Sequence, residues 1–232
     1  MKNFRFKSSA FAFVAALVAS VSSCSVGGNY EDYDVNRPNA IVTIKTLSSG
    51  ETYFQVDEKT TLLPVDWKNP YKSETRALVR YTEQSDANAG LFTKSVKVNW
   101  IDSVLTKKAV PFTEEFKNGA DDPVELIPDW LTVCEDGYLT VHFATWWGPD
   151  GSKPHYINLG IDPEKPHDLY FRHDKNGDDA ATRAMEGIVA FKIDEILTDV
   201  KDGDELTFHW TSFDGKRDVT LKYSGRFELA GK

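Results

Sequence analysis

From residue 41 to residue 104, apolar and polar side chains alternate with a period near two. The runs 41–47, 53–56, 61–65, 76–83 and 94–104 each have strand length and are separated by Gly, Pro, Asp and Ser positions. Such alternation is expected of strands with one buried face. In the last run Val96, Val98 and Trp100 should share one face, with Lys97 and Asn99 on the other. Ser48-Ser49-Gly50 offers a tight turn between the first two runs. Five short strands in this length of chain predict a small OB-like barrel.

The pattern lapses between residues 106 and 128, where Pro111, Asn118-Gly119, Asp121-Asp122-Pro123 and Pro128 interrupt it, so a domain boundary is placed there. It resumes at 129–134, 138–147, 155–159, 168–173, 187–194, 205–213 and 217–223. Seven strands suggest a β-sandwich, with hairpin turns at Glu135-Asp136-Gly137 and Ser212-Phe213-Asp214-Gly215. On the 138–147 strand, Leu139, Val141 and Phe143 should face the core, and Tyr138, Thr140, His142, Ala144 and Trp146 the other side. On 205–213, Leu206, Phe208 and Trp210 should face in, and Thr207, His209 and Thr211 out. The best helical segment is 180–186, capped by Asp179 and stopped by Gly187. The expectation is an all-β chain of low helix content, an OB-like five-stranded barrel at 40–110 followed by linker and β-sandwich at 111–232.

The N-terminus reads differently. Lys2, Arg5 and Lys7 precede an apolar stretch at 10–21 that falls short of the about 20 residues a bilayer span needs, so 1–23 reads as a signal peptide. Val21-Ser22-Ser23-Cys24 resembles the lipobox of bacterial lipoproteins, which implies cleavage before Cys24 and lipidation of its thiol. Residues 24–39 then form a polar tether with Gly27-Gly28 and Glu31-Asp32-Tyr33-Asp34. The partner expected from this reading is a membrane, the outer membrane, reached through the acyl chains on Cys24.

Composition fits that picture. The 232 residues include 27 basic and 36 acidic ones, a formal charge of −9, with 41% hydrophobic residues and a mean hydropathy of −0.42. These values exclude a disordered tail, a collagenous repeat and a polytopic membrane protein. Loss of Lys2, Arg5 and Lys7 with the signal takes the charge to −12, which argues against nucleic acid as a partner. With Cys24 acylated, Cys134 has no disulfide partner within the chain, and a buried structural thiol is its simplest role.

Beyond the lipobox, Asp129-Trp130-Leu131-Thr132-Val133, Gly137-Tyr138-Leu139-Thr140-Val141, His155-Tyr156-Ile157-Asn158-Leu159 and Leu169-Tyr170-Phe171-Arg172-His173 resemble the NigD-like lipoproteins in order and spacing. The resemblance runs from about residue 39 to residue 223. It implies an N-terminal OB domain and a C-terminal β-sandwich on a secreted lipoprotein without an established enzymatic activity. The family name comes from a bacteriocin operon, which implies an immunity role for some members. It supplies no catalytic residue.

No GxSxG, HExxH, CxxC, P-loop or GxGxxG motif occurs, so no catalytic residue, metal or cofactor is assigned. Asp174-Lys175-Asn176-Gly177-Asp178-Asp179 offers alternating oxygens but lacks the Gly and Glu positions of a calcium loop, and a polar turn is the simpler reading. His142 and His209 could share an ion only if their strands were neighbours. Trp146-Trp147-Gly148-Pro149 is the best candidate for binding. Alternation sends the two indoles to opposite faces, and an exposed one beside Tyr138 or His142 could stack on a sugar or anchor a protein. The competing reading has both indoles capping the core. The expected function is a non-enzymatic module for a glycan or protein partner, with bacteriocin immunity as the alternative.

Overall fold

The computed structural model describes residues 37–85, 89–149 and 153–229. The signal, Cys24 and most of the tether lie outside them. The first five strands are β1 (Ala40–Thr46), β2 (Thr52–Gln55), β3 (Thr61–Pro64), β4 (Thr75–Glu83) and β5 (Lys94–Ser103), closed in the order β1-β2-β3-β5-β4. Val42, Ile44, Phe54, Leu62, Ala77, Val79 and Val96 fill the barrel.

Trp100 departs from the expected alternation. The β4–β5 register slips between Arg80 and Tyr81, pairing Arg80 with Trp100 and Tyr81 with Val98. Asn99 is the extra residue of a bulge, which turns the following side chains by one position. Ile101 therefore joins Val98 against the barrel core in place of Trp100.

The segment without a visible pattern contributes short edge pieces: β6 (Leu105–Lys108), β7 (Val110–Pro111), a one-turn helix α1 (Glu114–Lys117) and β8 (Glu125–Leu126). Runs this short cannot display a period. The remaining strands follow: β9 (Val133–Glu135), β10 (Tyr138–Trp147), β11 (Tyr156–Asp162), β12 (Lys165–Asp174), β13 (Arg183–Lys192), β14 (Glu205–Ser212) and β15 (Gly215–Lys222). One sheet has the order β6-β13-β10-β8, with β9 also on β10, and the facing sheet has the order β15-β14-β12-β11-β7. Leu139, Val141, Phe143, Leu159, Leu169, Phe171, Val189, Phe191, Leu206 and Phe208 are buried between them.

Two expectations are corrected. Residues 129–132 form a turn, so the strand there is only Val133–Glu135 and Trp130 is half exposed. The helix expected at 180–186 is absent, because Arg183, Ala184, Met185 and Glu186 pair in β13 with Trp147, Trp146, Thr145 and Ala144. Ten continuous cross-strand pairs outweigh the local helix propensity of two turns.

The barrel sits on the outer face of the β10–β13 sheet. Strand β1 is buried on both sides: Val42 and Ile44 point into the barrel, while Ile41, Thr43 and Lys45 point to the sandwich. Ile41, Val104 and Ala190 form the apolar part of this joint. Its polar part centres on Asp136. The Asp136-Gly137 turn has positive φ at both residues, 52° and 75°, as a two-residue hairpin turn requires. A Cβ on Gly137 would lie 2.8 Å from that of Asp194. The turn sends the Asp136 carboxylate to Lys45 Nζ at 2.7 Å, with both side chains at most 4% exposed. Beside it Arg76, wholly buried, donates to Thr43 at 3.1 Å and to Glu135 at 3.3 Å.

The chain end closes the joint. The backbone N–H of Phe227 donates to Asp136 at 2.8 Å, Lys45 donates to the Phe227 carbonyl, and Arg226 forks onto Glu74. Burial works to raise the Glu74 carboxyl, but the hydrogen bonds from Arg226 and Tyr138 outweigh it and hold the group below its usual range.

Removing one member of a buried pair strands the other charge. Lys45→Met, which keeps the length of the stem, is expected to cost about 3–5 kcal/mol of unfolding free energy in urea titrations. A loss under about 1 kcal/mol would mean that the Phe227 N–H suffices for Asp136.

Candidate functional site

The four residues expected to bind are split by the fold. Tyr138 is withdrawn from solvent at 4% exposure and its hydroxyl donates to Glu74 at 2.5 Å, so it belongs to the barrel–sandwich joint. Burial and the Glu74 carboxylate push its phenol up from the ordinary value. His142 lies on the same face of β10, with Nδ1 hydrogen-bonded to Asp129 at 2.7 Å and Nε2 3.4 Å from Glu186. Trp146 follows on that face, half-buried and opposite Ala184.

Trp147, half-buried at the end of β10, falls on the opposite side of the strand from Trp146, as alternation requires. Its indole stacks on His155 at 3.8 Å and 4°. His155 Nδ1 is hydrogen-bonded to His173 Nε2 at 2.9 Å, and its Nε2 lies 3.3 Å from Asp178. Asp178 also accepts from the Gly148 N–H at 2.7 Å, and that bond, followed by His155, lowers its carboxyl. The suspected calcium loop is therefore a polar turn whose carboxylates have partners: Asp178 holds Gly148 and His155, Asp174 accepts from Asn176 N–H, and Asp179 meets Lys175 at 2.9 Å. Among the described residues no group of three or more His, Cys, Asp or Glu is placed to hold a metal ion. His142 and His209 lie on different sheets and cannot share a ligand. Cys134 is a free, buried thiol that burial pushes up to about 12, which denies it a thiolate role near neutral pH.

The sequence reading missed the outer face of the other sheet. Gly160 on β11, Tyr170 on β12, His209 on β14 and Asp218 on β15 stand in one cross-strand row. Phe112 reaches the row because β7 pairs with β11 and the Phe112 N–H donates to Ile161 at 2.8 Å. Thr113 then caps α1, accepting from Phe116 N–H at 3.3 Å, and brings Phe116 edge-on to Phe112 at 5.4 Å. Both rings lie over Gly160, where a Cβ would meet Phe116 at 2.6 Å and Phe112 at 2.9 Å. Phe112 stacks on Tyr170 at 4.0 Å and 12°, and Tyr170 on His209 at 4.8 Å and 16°.

Polar groups fix this row. Asp168 lies 3.2 Å from His209 Nε2, and Asp121 accepts from Thr211 at 2.8 Å and pairs with Arg172. Burial and then Asp168 raise the Tyr170 phenol. Phe112, Tyr170 and His209, with Asp121 and Arg172, line an open groove of about 500 Å³. An aromatic-lined concavity with a few fixed polar groups is what a small ligand or a chain of rings requires.

Residues 41–104 match the NigD-like N-terminal OB domain and residues 108–223 the NigD-like C-terminal β-sandwich domain. The chain belongs to the NigD-like family. Among solved structures it is similar to a protein of Parabacteroides distasonis described as toxin-related, at 28% identity over 80% of this chain and 92% of that one, TM-score 0.62. A Bacteroides vulgatus protein of unknown function matches at 18% identity over 83% and 91%, TM-score 0.61. A NigD-like immunity protein of Bacteroides caccae matches at 18% over 79% and 91%, TM-score 0.54. The last two likenesses speak to the fold alone. None of the curated proteins compared matches the chain.

The histidine pair at the Trp147 end generates a pH prediction. Burial, with His155 adjoining, lowers His173 from its ordinary 6.5. A folded value below the unfolded one means full stability above about pH 6.5, lost as the pH falls through the folded value. The urea midpoint should therefore drop more between about pH 7 and about pH 5 in the parent than in His173→Phe. Parallel curves would contradict this.

Proposed function

We propose that this NigD-like protein is a cell-envelope lipoprotein, anchored to the outer membrane through acylated Cys24, that acts as a non-enzymatic binding module for an extracellular glycan or protein partner. The observation that carries the reading is the Phe112–Tyr170–His209 row in its groove. Rings ordered by stacking on one another lose little entropy when a ligand covers them. The lipobox-like Val21-Ser22-Ser23-Cys24 and the polar sequence after it support the same reading, since lipidation there would let the module meet partners beyond the lipid surface. The non-enzymatic part is supported by family membership and by the thiol of Cys134, which burial keeps protonated. The face with His142 and Trp146 is the second surface of this proposal.

Bacteriocin immunity is the alternative, favoured by the toxin-related protein at 28% identity. It predicts that a deletion strain becomes sensitive to the bacteriocin of its own operon.

A glycan and peptide panel read by thermal shift on the chain from Ser25 tests the binding reading. A ligand-dependent shift that His209→Ala abolishes and Trp146→Ala leaves intact is the expected outcome. The reverse pattern moves the site to the β10 face and removes the groove. No shift with any glycan or peptide sinks the module.

A further inference from the structure

We infer that the groove on the β12–β14 face takes an acidic polysaccharide, a chain of uronate-bearing sugars, in preference to a neutral one. The inference rests on the binding-module reading and adds the chemistry of the ligand.

The first ground is charge. The protein carries −9 overall, yet the groove is lined by Lys117, Arg172, Lys216 and Arg217 against only Asp121 and Asp218. It is a basic strip on an acidic molecule, so the attraction an anion feels is concentrated at the strip, while the negative remainder disfavours its landing elsewhere. Two of these cations have only loose partners: Lys117 meets Glu114 at 3.4 Å and Arg217 meets Asp214 at 3.5 Å, all four side chains more than half exposed. Exposed pairs of this kind are worth little and yield readily to a ligand carboxylate. Lys216 sits opposite Thr211 on the exposed strand β15.

The second ground is extent. Asn158 pairs with Arg172 and Thr211 with Lys216 across neighbouring strands, and Asp121 joins the two pairs by holding both Thr211 and Arg172, so the four strands β11, β12, β14 and β15 offer a span of about 14 Å at the usual strand spacing. On the other side of Arg172 a second depression of about 290 Å³ is lined by Phe116, Tyr156, Asn158 and Asp174. Tyr156 there is 49% exposed. Aromatic rings on both sides of the Arg172–Asp121 pair suit a ligand that repeats, with rings to pack and carboxylates to meet Lys216 and Arg217 beside it.

The third ground is the mixture of groups. Asp121, Asp218 and Asn158 are acceptors that sugar hydroxyls can satisfy. Nucleic acid fits poorly, because a backbone with one charge per about 1.7 Å would meet only a slight excess of cations here.

The experiment uses the chain from Ser25, which retains the compact unit 35–232. Its affinity is measured for polygalacturonate, for the same polymer fully methyl-esterified, and for poly-glutamate. Polygalacturonate should bind at least about tenfold more tightly than the esterified polymer, and the preference should shrink in high salt. The Lys216→Ala/Arg217→Ala double variant should lose that preference with its thermal midpoint unchanged. Equal or better binding of the esterified polymer overturns the acidic preference and leaves the binding module standing. Equal binding of poly-glutamate overturns the sugar assignment. Failure of all three polymers overturns the inference, while the wider glycan and peptide panel separately decides whether the module reading falls with it.

Discussion

The joint between barrel and sandwich depends on one buried ion pair. Lys45 comes from the outward side of β1, and Asp136 from the tight turn between β9 and β10. Neither charge is tolerable in that position alone, because an unpaired ion out of water costs several kcal/mol. The pair therefore holds only while the two domains are in register. The Phe227 backbone and the Arg226–Glu74 fork complete the surroundings, so the chain end is part of the same device. A purely apolar contact between Ile41, Val104 and Ala190 would tolerate sliding, and a directional pair does not.

This joint decides which surfaces remain for binding. It uses part of the outer face of the β10–β13 sheet, burying Thr140 and Ala190 completely, while His142 farther along β10 is held by Asp129 and Glu186 of the sandwich itself. The outer face of the opposite sheet is free of the barrel. There, the absence of a side chain at Gly160 lets Phe112 and Phe116 lie down on the strands, and the stack with Tyr170 and His209 follows from register. Fold and groove are thus two consequences of one partition of the sandwich, with one sheet partly covered by the barrel and the other left open.

What could be read from the sequence was the part written in alternation. Strand β10 was expected over 138–147 and occupies Tyr138–Trp147, with Leu139, Val141 and Phe143 inward and the two indoles on opposite sides. The barrel strands were legible for the same reason. Trp100 was misplaced because a bulge at Asn99 shifts the period by one, and nothing local marks a bulge. The 180–186 segment has helical residues, and its strand form depends on pairing with a partner about forty residues earlier in the chain. The groove was invisible for a related reason: Phe112, Tyr170 and His209 come from three distant segments, and only the sheet order brings them together. A polar outer face and a face buried under another domain also look alike in sequence, which is why Tyr138 was offered as a site residue.

The central claim is that barrel and sandwich are one cooperative body, locked through Lys45 and Asp136, with the groove on the side away from the lock. Differential scanning calorimetry of the chain from Ser25 tests it most directly. A single transition whose calorimetric and van't Hoff enthalpies agree is predicted, splitting into two in Lys45→Met. Two separate transitions in the parent chain would contradict the account.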